Sequence, residues 1–553
     1  MAISEETRPG MARATEAIAP PMMEVPLTTW LLFDHAGVHH AATEIVSRLP
    51  SGELHRYTYG EFSGRAQQLM HALDRLGIER GERVATLAWN GYRHLELYFA
   101  VPCSGRVLHT LNLRLSPEDL TYIIRHADDR AIFVDADLVP LLERIPEALA
   151  GVEHVVVMGE VPAGTTLPNL RAYEDLIGGE PTTYPRPALD ERAVCGICYT
   201  SGTTGRPKGA AYTHRSTVLH ALMSTSGAAF GMGPQDCVMP IVPMFHVNAW
   251  GLPLAATAVG AKQVFCGSHL DPKSVADLLE DEAVTLSAGV PTVWLTVLDE
   301  LVGRGRRPHA LRFIVCGGSQ PPRQMIERYR EELDIPIVQA WGMTETSPLA
   351  SMAHPQHRMR DWDEDRLTDA VRSQAGLPIP GVEVSIRDAE GNEVPRDGSS
   401  MGALLVRGPW VAASYLRGDG AEQFTGDGWF RTGDVAVASP EGYFVIADRT
   451  KDLIKSGGEW ISSVDMEGAI MAMPGVAEAA VIAIPDPKWQ ERPLACVVPR
   501  PGGAVTLEEV RRHLLAAGFA HWQLPDRVEV IEAVPRTSVG KFDKKALRVR
   551  FPA

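Results

Sequence analysis

From about residue 55 to residue 345, short β-branched runs alternate with stretches of helical periodicity, and that alternation restricts the chain to parallel sheets covered by helices. VATLAW (84–89), VLHTLN (107–112), AIFVDA (131–136) and HVVVMG (154–159) read as buried strands. Between them, EFSGRAQQLMHALDRLG (61–77) sets Phe62, Ala66, Leu69, Leu73 and Leu76 on one helical face. SPEDLTYIIRHAD (116–128) opens with Ser116 as N-cap and Pro117 at the first helical position. Further strands are predicted in AVCGIC, VMPIVPMF, AKQVFCG, VTLSAGV, RFIVCGG and IPIVQAW. From about 376 the texture changes to short strands with turns, GVEVSIRD, GALLVRG and GYFVIADR, the pattern of a small β-rich subdomain. DRTKDLIKSGGEW (448–460) is a charged, glycine-containing break, and beyond it lies a compact α+β tail. The expected organisation is a leader over 1–24, a large α/β domain over 25–447, a linker over 448–453 and a small C-terminal domain over 454–553.

A chain of 553 residues with 45% apolar and 22% charged content has ordinary globular composition. Its net charge of −16 opposes a nucleic-acid footprint, which needs a basic surface to displace counterions. An anionic ligand must therefore be held by a local positive site. The 7 cysteines are sparse and odd in number, as for reduced thiols in an intracellular setting. Cys195 and Cys198 form a CxxC inside an apolar strand with no second pair nearby, which argues against zinc or redox use. The leader has no apolar core of a signal peptide, and no run approaches the length of a membrane span, so a cytoplasmic protein is expected.

The stretch YTSGTTGRPKG (199–209) is too polar and too rich in glycine to serve a core. It lacks the GxxxxGK[ST] order of a Walker A loop. Gly202 and Gly205 still offer successive backbone N–H groups, Thr200, Ser201, Thr203 and Thr204 add hydroxyls, and Lys208 adds a cation, which together make a phosphate cradle. A solvated Gly/Thr hairpin has the same composition, and the loop alone leaves both readings open.

The loop resembles the phosphate loop of adenylate-forming enzymes, the superfamily of acyl-CoA synthetases, nonribosomal-peptide adenylation domains and luciferases. QAWGMTETSP (339–348), WFRTGDVA (429–436), DRTKDLIKSGGEW (448–460) and PRTSVGKFDKK (535–545) match further motifs of that superfamily in order, and the resemblance runs from about residue 25 to 550. VPMFHVNAWGLP (242–253) and SGGEWISSVDMEG (456–468) are most similar to bacterial medium- and long-chain fatty acyl-CoA synthetases, with methylmercaptopropionate-CoA ligases carrying similar runs. The resemblance implies an α/β fold with a large N-terminal domain of two α/β subdomains plus a small β-barrel, and a mobile α+β C-terminal domain.

It also implies a reaction and a set of roles. A carboxylate attacks the α-phosphate of ATP to give an acyl-adenylate, and CoA then takes the acyl group. Two anions must meet, so the site needs fixed cations and Mg²⁺. Glu345 matches the metal ligand, with Thr200 as a second oxygen near it. Asp434 matches the acceptor of both ribose hydroxyls, where its other reading is a turn residue after Gly433, and Arg449 assists near ribose and phosphate or serves as an ion-pair partner. Val247, Gly318, Gln339, Ala340, Trp341 and Thr344 match positions lining the nucleotide, and Gly342 lies on the acyl side. Relatives often read Gly-Tyr-Gly where this chain has Ala340-Trp341-Gly342, so the extra methyl of Ala340 narrows the acyl path. His246 matches a histidine at the acyl-pocket mouth and Trp250 a tryptophan that gates the fatty-acid tunnel; by composition both are packing residues. Lys541 matches the lysine bridging carboxylate and α-phosphate, and Lys451 the hinge about which the tail rotates. Lys455, Gly457, Gly458 and Trp460 then approach the nucleotide and form the pantetheine channel. Medium- to long-chain fatty acids are the expected substrates, with ATP, Mg²⁺ and CoA, and a homodimer is what the long-chain relatives imply. Alternatives are the same chemistry on a small thioether, branched or aryl acid, transfer of the acyl group to an amine, and a non-catalytic nucleotide-binding paralogue.

Overall fold

The computed structural model describes residues 22–200, 206–449, 452–456, 459–536 and 542–552. Among them the chain builds four sheets. The first has seven strands, ordered Arg171–Ala172, His154–Met158, Asp129–Asp135, Arg83–Leu87, Val107–Thr110, Val194–Tyr199 and Gly209–Thr213. Its neighbours pair in parallel except at Gly209–Thr213, which returns antiparallel from the phosphate-loop strand. The second has nine strands, with a parallel centre of Lys262–Phe265, Cys237–Pro240, Leu286–Gly289, Phe313–Cys316 and Ile337–Gly342. Glu44–Arg48 adds to this centre in parallel, and the hairpin partner Leu54–Thr58 closes that edge.

Helices follow the strands as the periodicity requires. Tyr59–Arg75 starts with a capping box in which Thr58 and Glu61 satisfy each other's backbone N–H groups. Its Phe62 is fully buried and meets Phe33 at 5.5 Å and Phe99 at 5.5 Å between ring centres. Burying one such ring is worth about 1.5–3 kcal/mol. Pro117–Ala127 is capped by the Ser116 hydroxyl, which accepts from the Asp119 N–H at 3.1 Å. All seven cysteines are buried free thiols. Cys195 and Cys198 lie on opposite faces of their strand, with sulfurs against Thr217 and Thr110 respectively, so they form no pair.

The β-rich region departs from the expected barrel. Among the described residues it is an open antiparallel sheet in the order Glu383–Arg387, Met401–Arg407, Phe430–Ala438 and Phe444–Arg449, with no pairing between first and last strands. Four strands are too few to close around a core. The free edge is instead touched by a bridge from Phe444 to Gly376. The fourth sheet starts at Ile454 and holds the hairpin Ile454–Ser456 and Glu459–Ile461, the long pair Val476–Asp486 and Gln490–Pro499, and Arg527–Val530. No helix among the described residues is long and apolar enough to cross a membrane.

Candidate active site

Most of the expected site residues that the structure describes lie at or just past the carboxyl ends of parallel strands, where ligands bind in open α/β sheets. Thr200 follows Val194–Tyr199, residues 241–250 follow Cys237–Pro240, Gly318 follows Phe313–Cys316, and Thr344 and Glu345 follow Ile337–Gly342. Side chains stitch the two sheets together at this level. Tyr212, on the strand beside the phosphate loop, donates to the Thr344 carbonyl at 2.7 Å. Asn90, past the strand Arg83–Leu87, donates to the carbonyls of Pro240 (3.0 Å) and Val242 (2.9 Å) and accepts from the Met244 N–H at 2.6 Å.

The phosphate loop is closed at its base: the Thr200 N–H donates to the Lys208 carbonyl at 2.9 Å, and the Lys208 N–H donates to the Thr200 hydroxyl at 3.1 Å. Ser201, Gly202, Thr203, Thr204 and Gly205 lie outside the described residues, as do Lys451, Gly457, Gly458 and Lys541. The Lys208 ammonium lies 5.3 Å from the centre of the Tyr415 ring and reaches Gln423 (3.4 Å) and Glu422 (3.5 Å).

Tyr415 in turn donates its hydroxyl to Glu345, which is only 4% exposed. Burial raises the Glu345 carboxyl above its ordinary pKa, and the tyrosine hydroxyl and the more distant Arg449 act to lower it. The Ala412 N–H donates to the Glu345 carbonyl at 2.7 Å, so the third sheet's flank holds this turn from two directions. Chain from the expected phosphate loop, the expected metal ligand and the β-rich region therefore meets within one cluster.

Asp434 is 2% exposed and stands opposite Arg449 in the ladder of the third sheet. The Arg449 Nε lies 2.7 Å from Asp434 Oδ1, which makes the arginine an ion-pair partner of the expected ribose residue. Trp341 is half-buried and meets Phe444 edge to face at 5.6 Å. Gln339 is buried, and its Oε1 has no hydrogen-bond partner, which leaves an acceptor for a ligand donor. Gly342 admits no side chain, since a Cβ there would stand 1.9 Å from the Pro348 carbonyl oxygen.

The segment expected on the acyl side forms an unusual turn. Val247, Asn248, Ala249, Trp250 and Gly251 all take positive φ, from +47° to +75°. Left-handed backbone costs an ordinary residue about 1–2 kcal/mol, so the surroundings must impose it. Asn248 is fixed by the Tyr98 hydroxyl at 3.1 Å and the Cys198 thiol at 3.4 Å, and Asn90 pins the preceding loop. The turn lays the Trp250 ring on Gly317, where a Cβ would stand 2.9 Å from the ring and 2.8 Å from the Ala340 carbonyl oxygen. Half-buried His246 and buried Val247 open the same turn. Lys455 and Trp460 are placed differently. Their strands form one edge of the fourth sheet, Trp460 is 45% exposed, and the Lys455 ammonium lies over the Trp460 ring at 5.4 Å.

The AMP-binding enzyme family model matches residues 32–416, and the model of the AMP-binding enzyme C-terminal domain matches residues 465–541. The chain belongs to the AMP-binding enzyme family. This AMP-binding enzyme is 49% identical over 539 residues to a long-chain-fatty-acid–CoA ligase of Thermus thermophilus, covering 97% of each chain. It is 43% identical to a 3-methylmercaptopropionyl-CoA ligase of Ruegeria lacuscaerulensis (96% of this chain, 98% of the relative). To a medium-chain-fatty-acid–CoA ligase of Ectopseudomonas oleovorans it is 42% identical (96% and 97%). Among solved structures, ATP-bound MatB from Rhodopseudomonas palustris superposes with a TM-score of 0.82 at 25% identity, over 95% of this chain and 99% of that one. The anthranilate CoA ligase AuaEII with anthranoyl-AMP shares the fold at a TM-score of 0.83 and 24% identity, over 96% and 98%.

Several residues of this AMP-binding enzyme that hold the cleft escaped the sequence reading: Tyr415, Tyr212, Asn90 and Tyr98. Each acts through one hydroxyl or amide on a group far along the chain, and no spacing in the sequence signals such a contact. His220 is a fifth. It is buried, its Nε2 accepts from the Leu349 N–H at 3.0 Å, and burial pushes its pKa down to about 3. A Cβ on Gly251 would stand 2.6 Å from its ring, so neutral His220 backs the left-handed turn.

Proposed function

We propose that the cleft activates a carboxylic acid with ATP and passes the acyl group to CoA, and that medium- to long-chain fatty acids are its substrates. The observation that carries this reading is the cluster in which Lys208, Tyr415 and buried Glu345 meet, beside the Asp434–Arg449 pair and the unpartnered Gln339 acceptor. One face holds phosphates, another holds a sugar diol, and a tryptophan and a left-handed turn line the way to the acyl group. The relatives named above act on fatty acids and on a short thioether acid.

The protein's own groups divide the work. Asp434 accepts hydrogen bonds from the two ribose hydroxyls, with Arg449 fixing its rotamer. The loop from Thr200 to Lys208 receives the β- and γ-phosphates. Lys541 bridges the attacking carboxylate and the α-phosphate. A carboxylate oxygen bonds to the α-phosphorus and pyrophosphate leaves. In the second step the CoA thiol, losing its proton, bonds to the acyl carbon and AMP leaves. Lys541 has no task in that step, and rotation of the C-terminal domain at Lys451 brings the hairpin of Lys455, Gly457, Gly458 and Trp460 to the cleft instead.

Glu345 and Thr200 offer one carboxylate and one hydroxyl, and no cluster of three or more His, Cys, Asp or Glu competes among the described residues. An oxygen-only set with a single carboxylate suits Mg²⁺, which keeps waters and takes its other ligands from phosphates. Bound there it would neutralise phosphate charge. Trp250 against Gly317, together with the Ala340 methyl, sets the length of acid admitted. The enzyme works in the cytoplasm, as a homodimer through its N-terminal domain. The test is AMP and pyrophosphate release over a panel of carboxylates, with and without CoA. Turnover of decanoate or palmitate supports the reading; inert fatty acids beside rapid turnover of methylmercaptopropionate or benzoate move the substrate to a small acid.

A further inference from the structure

A buried chain of charges crosses from the third sheet to the C-terminal tail, outside the cleft. Asp448, at the end of the strand Phe444–Arg449, is 1% exposed. Its Oδ2 accepts from both the backbone N–H (2.7 Å) and the hydroxyl of Ser463, the first residue of the helix Ser463–Met471. The same Ser463 oxygen accepts from the Lys544 ammonium at 2.5 Å. Lys544 also lies 2.7 Å from Glu467 Oε1, and that oxygen accepts from the Val481 N–H at 2.7 Å. Ser462 donates to the Ala447 carbonyl at 2.6 Å alongside.

The placement matters more than the energy. Buried ion pairs contribute little net stability but hold geometry, because a separated partner is left charged and dry. Within the tail, Glu467 alone would balance the charge of Lys544. Ser463 extends the pair across to Asp448, which belongs to the ladder that carries Asp434 and Arg449. Lys544 opens the helix Lys544–Arg550 after its N-cap Asp543, and Phe542, next before, is bridged to Arg536. The chain of contacts thus runs from the expected ribose carboxylate, through Arg449 and Asp448, to the base of the segment that contains Lys541. Any large rotation between the third and fourth sheets must part Asp448 from Ser463 and Lys544, since they stand on opposite sides of residues 450–451. In this arrangement Lys455 and Trp460 are exposed, so it is not the orientation in which the proposed rotation would bring them to the nucleotide.

We infer that Ser463 and Lys544 are positioning residues for the adenylation step: through Asp448 they latch the tail in the orientation that presents Lys541, and the latch opens before thiol transfer. This rests on the two-step reading with a rotating C-terminal domain. The latch is a property of the pair across the boundary, so the decisive variant is Ser463→Ala, which removes the bridging hydroxyl and leaves the Lys544–Glu467 pair intact.

The experiment uses the full chain and measures each half-reaction separately. Ser463→Ala should lower carboxylate-dependent ATP–pyrophosphate exchange about tenfold, the scale for loss of a hydrogen bond to a charged group, and leave thioester formation from supplied acyl-adenylate within about twofold. Lys544→Met should show the same split, and Lys544→Arg should restore exchange. Equal loss of both steps, or no change in either, overturns the inference. Orientation is read independently by spin labels at Glu118→Cys and Glu508→Cys, both exposed positions in a protein whose native cysteines are all buried. Ser463→Ala should broaden or shift the label-to-label distance, and an unchanged distribution also overturns it. If wild-type protein showed no exchange with any acid, the adenylation reading would fail while the distance measurement still judged the latch.

Discussion

Replacing Tyr415 by Phe removes one hydroxyl and little else. The ring keeps its edge contacts with Phe424 at 5.5 Å and Phe430 at 6.3 Å, and Lys208 keeps its place 5.3 Å above it. What is lost is the hydrogen bond to the buried Glu345 carboxylate. A hydrogen bond to a charged group is worth about 1.5–3 kcal/mol, which corresponds to an increase of about one to two units in the carboxyl pKa. The sign follows from the burial. Glu345 is already raised by desolvation, the phenol pulls it down, and its removal lets it rise further. The charged form, which the proposed Mg²⁺ site requires, is then lost at a higher pH. The acid limb of the adenylation rate should therefore move up by about one to two pH units, and the rate near neutrality should fall about tenfold or more. Stability should fall at neutral pH, where charging Glu345 costs the folded state, and stay unchanged in acid, where Glu345 is protonated folded and unfolded alike. The assay is ATP–pyrophosphate exchange at saturating ATP and acid across the pH range, with thermal unfolding alongside. An unshifted acid limb, or one proportional loss at every pH, would refute the role given to this hydroxyl.

Other substitutions probe other parts of the cleft. Gly342→Ala should destroy activity and lower the melting temperature, because its methyl would stand 1.9 Å from the Pro348 carbonyl oxygen; a folded, active variant would contradict the close approach. Asp434→Asn should raise the KM for ATP by about ten- to a hundredfold while the KM for the acid changes little, measured by initial rates with each substrate varied. His220 is neutral in the folded protein, with its pKa pushed to about 3 from 6.5, so folding loses stability as pH falls from about 6.5 towards 3. In denaturant titrations His220→Gln should lessen the acid slope by about 1.4 kcal/mol per pH unit, and an identical slope would place the proton uptake elsewhere.

The parts of the fold set by local chemistry were legible. Ser116 and Pro117 announced a helix start, and the apolar spacing from Phe62 to Leu73 announced its buried face. The helix Trp30–His39 was not, because its buried Trp30, Leu32, Phe33 and Ala36 carry no contrasting polar stripe. The strand Glu44–Arg48 was also missed, since it is made a strand by pairing with Lys262–Phe265 far along the chain. The family was legible through the order of its motifs, which the matches over residues 32–416 and 465–541 bear out. The left-handed turn was not: only Gly251 signals positive φ, while Val247, Asn248, Ala249 and Trp250 are held there by Asn90, Tyr98 and Cys198. Tyr415, Ser463 and Lys544 belong with it, since each acquires its meaning from a partner that only the folded chain supplies.

The central claim is that the acid's own oxygen becomes bonded to the α-phosphorus. Decanoate labelled with ¹⁸O in its carboxylate, turned over with ATP and CoA, tests it directly by mass spectrometry of the products. One labelled oxygen in each AMP, unlabelled pyrophosphate, and a thioester keeping the other oxygen is the predicted result. AMP free of label, or label in phosphate or pyrophosphate, would contradict it.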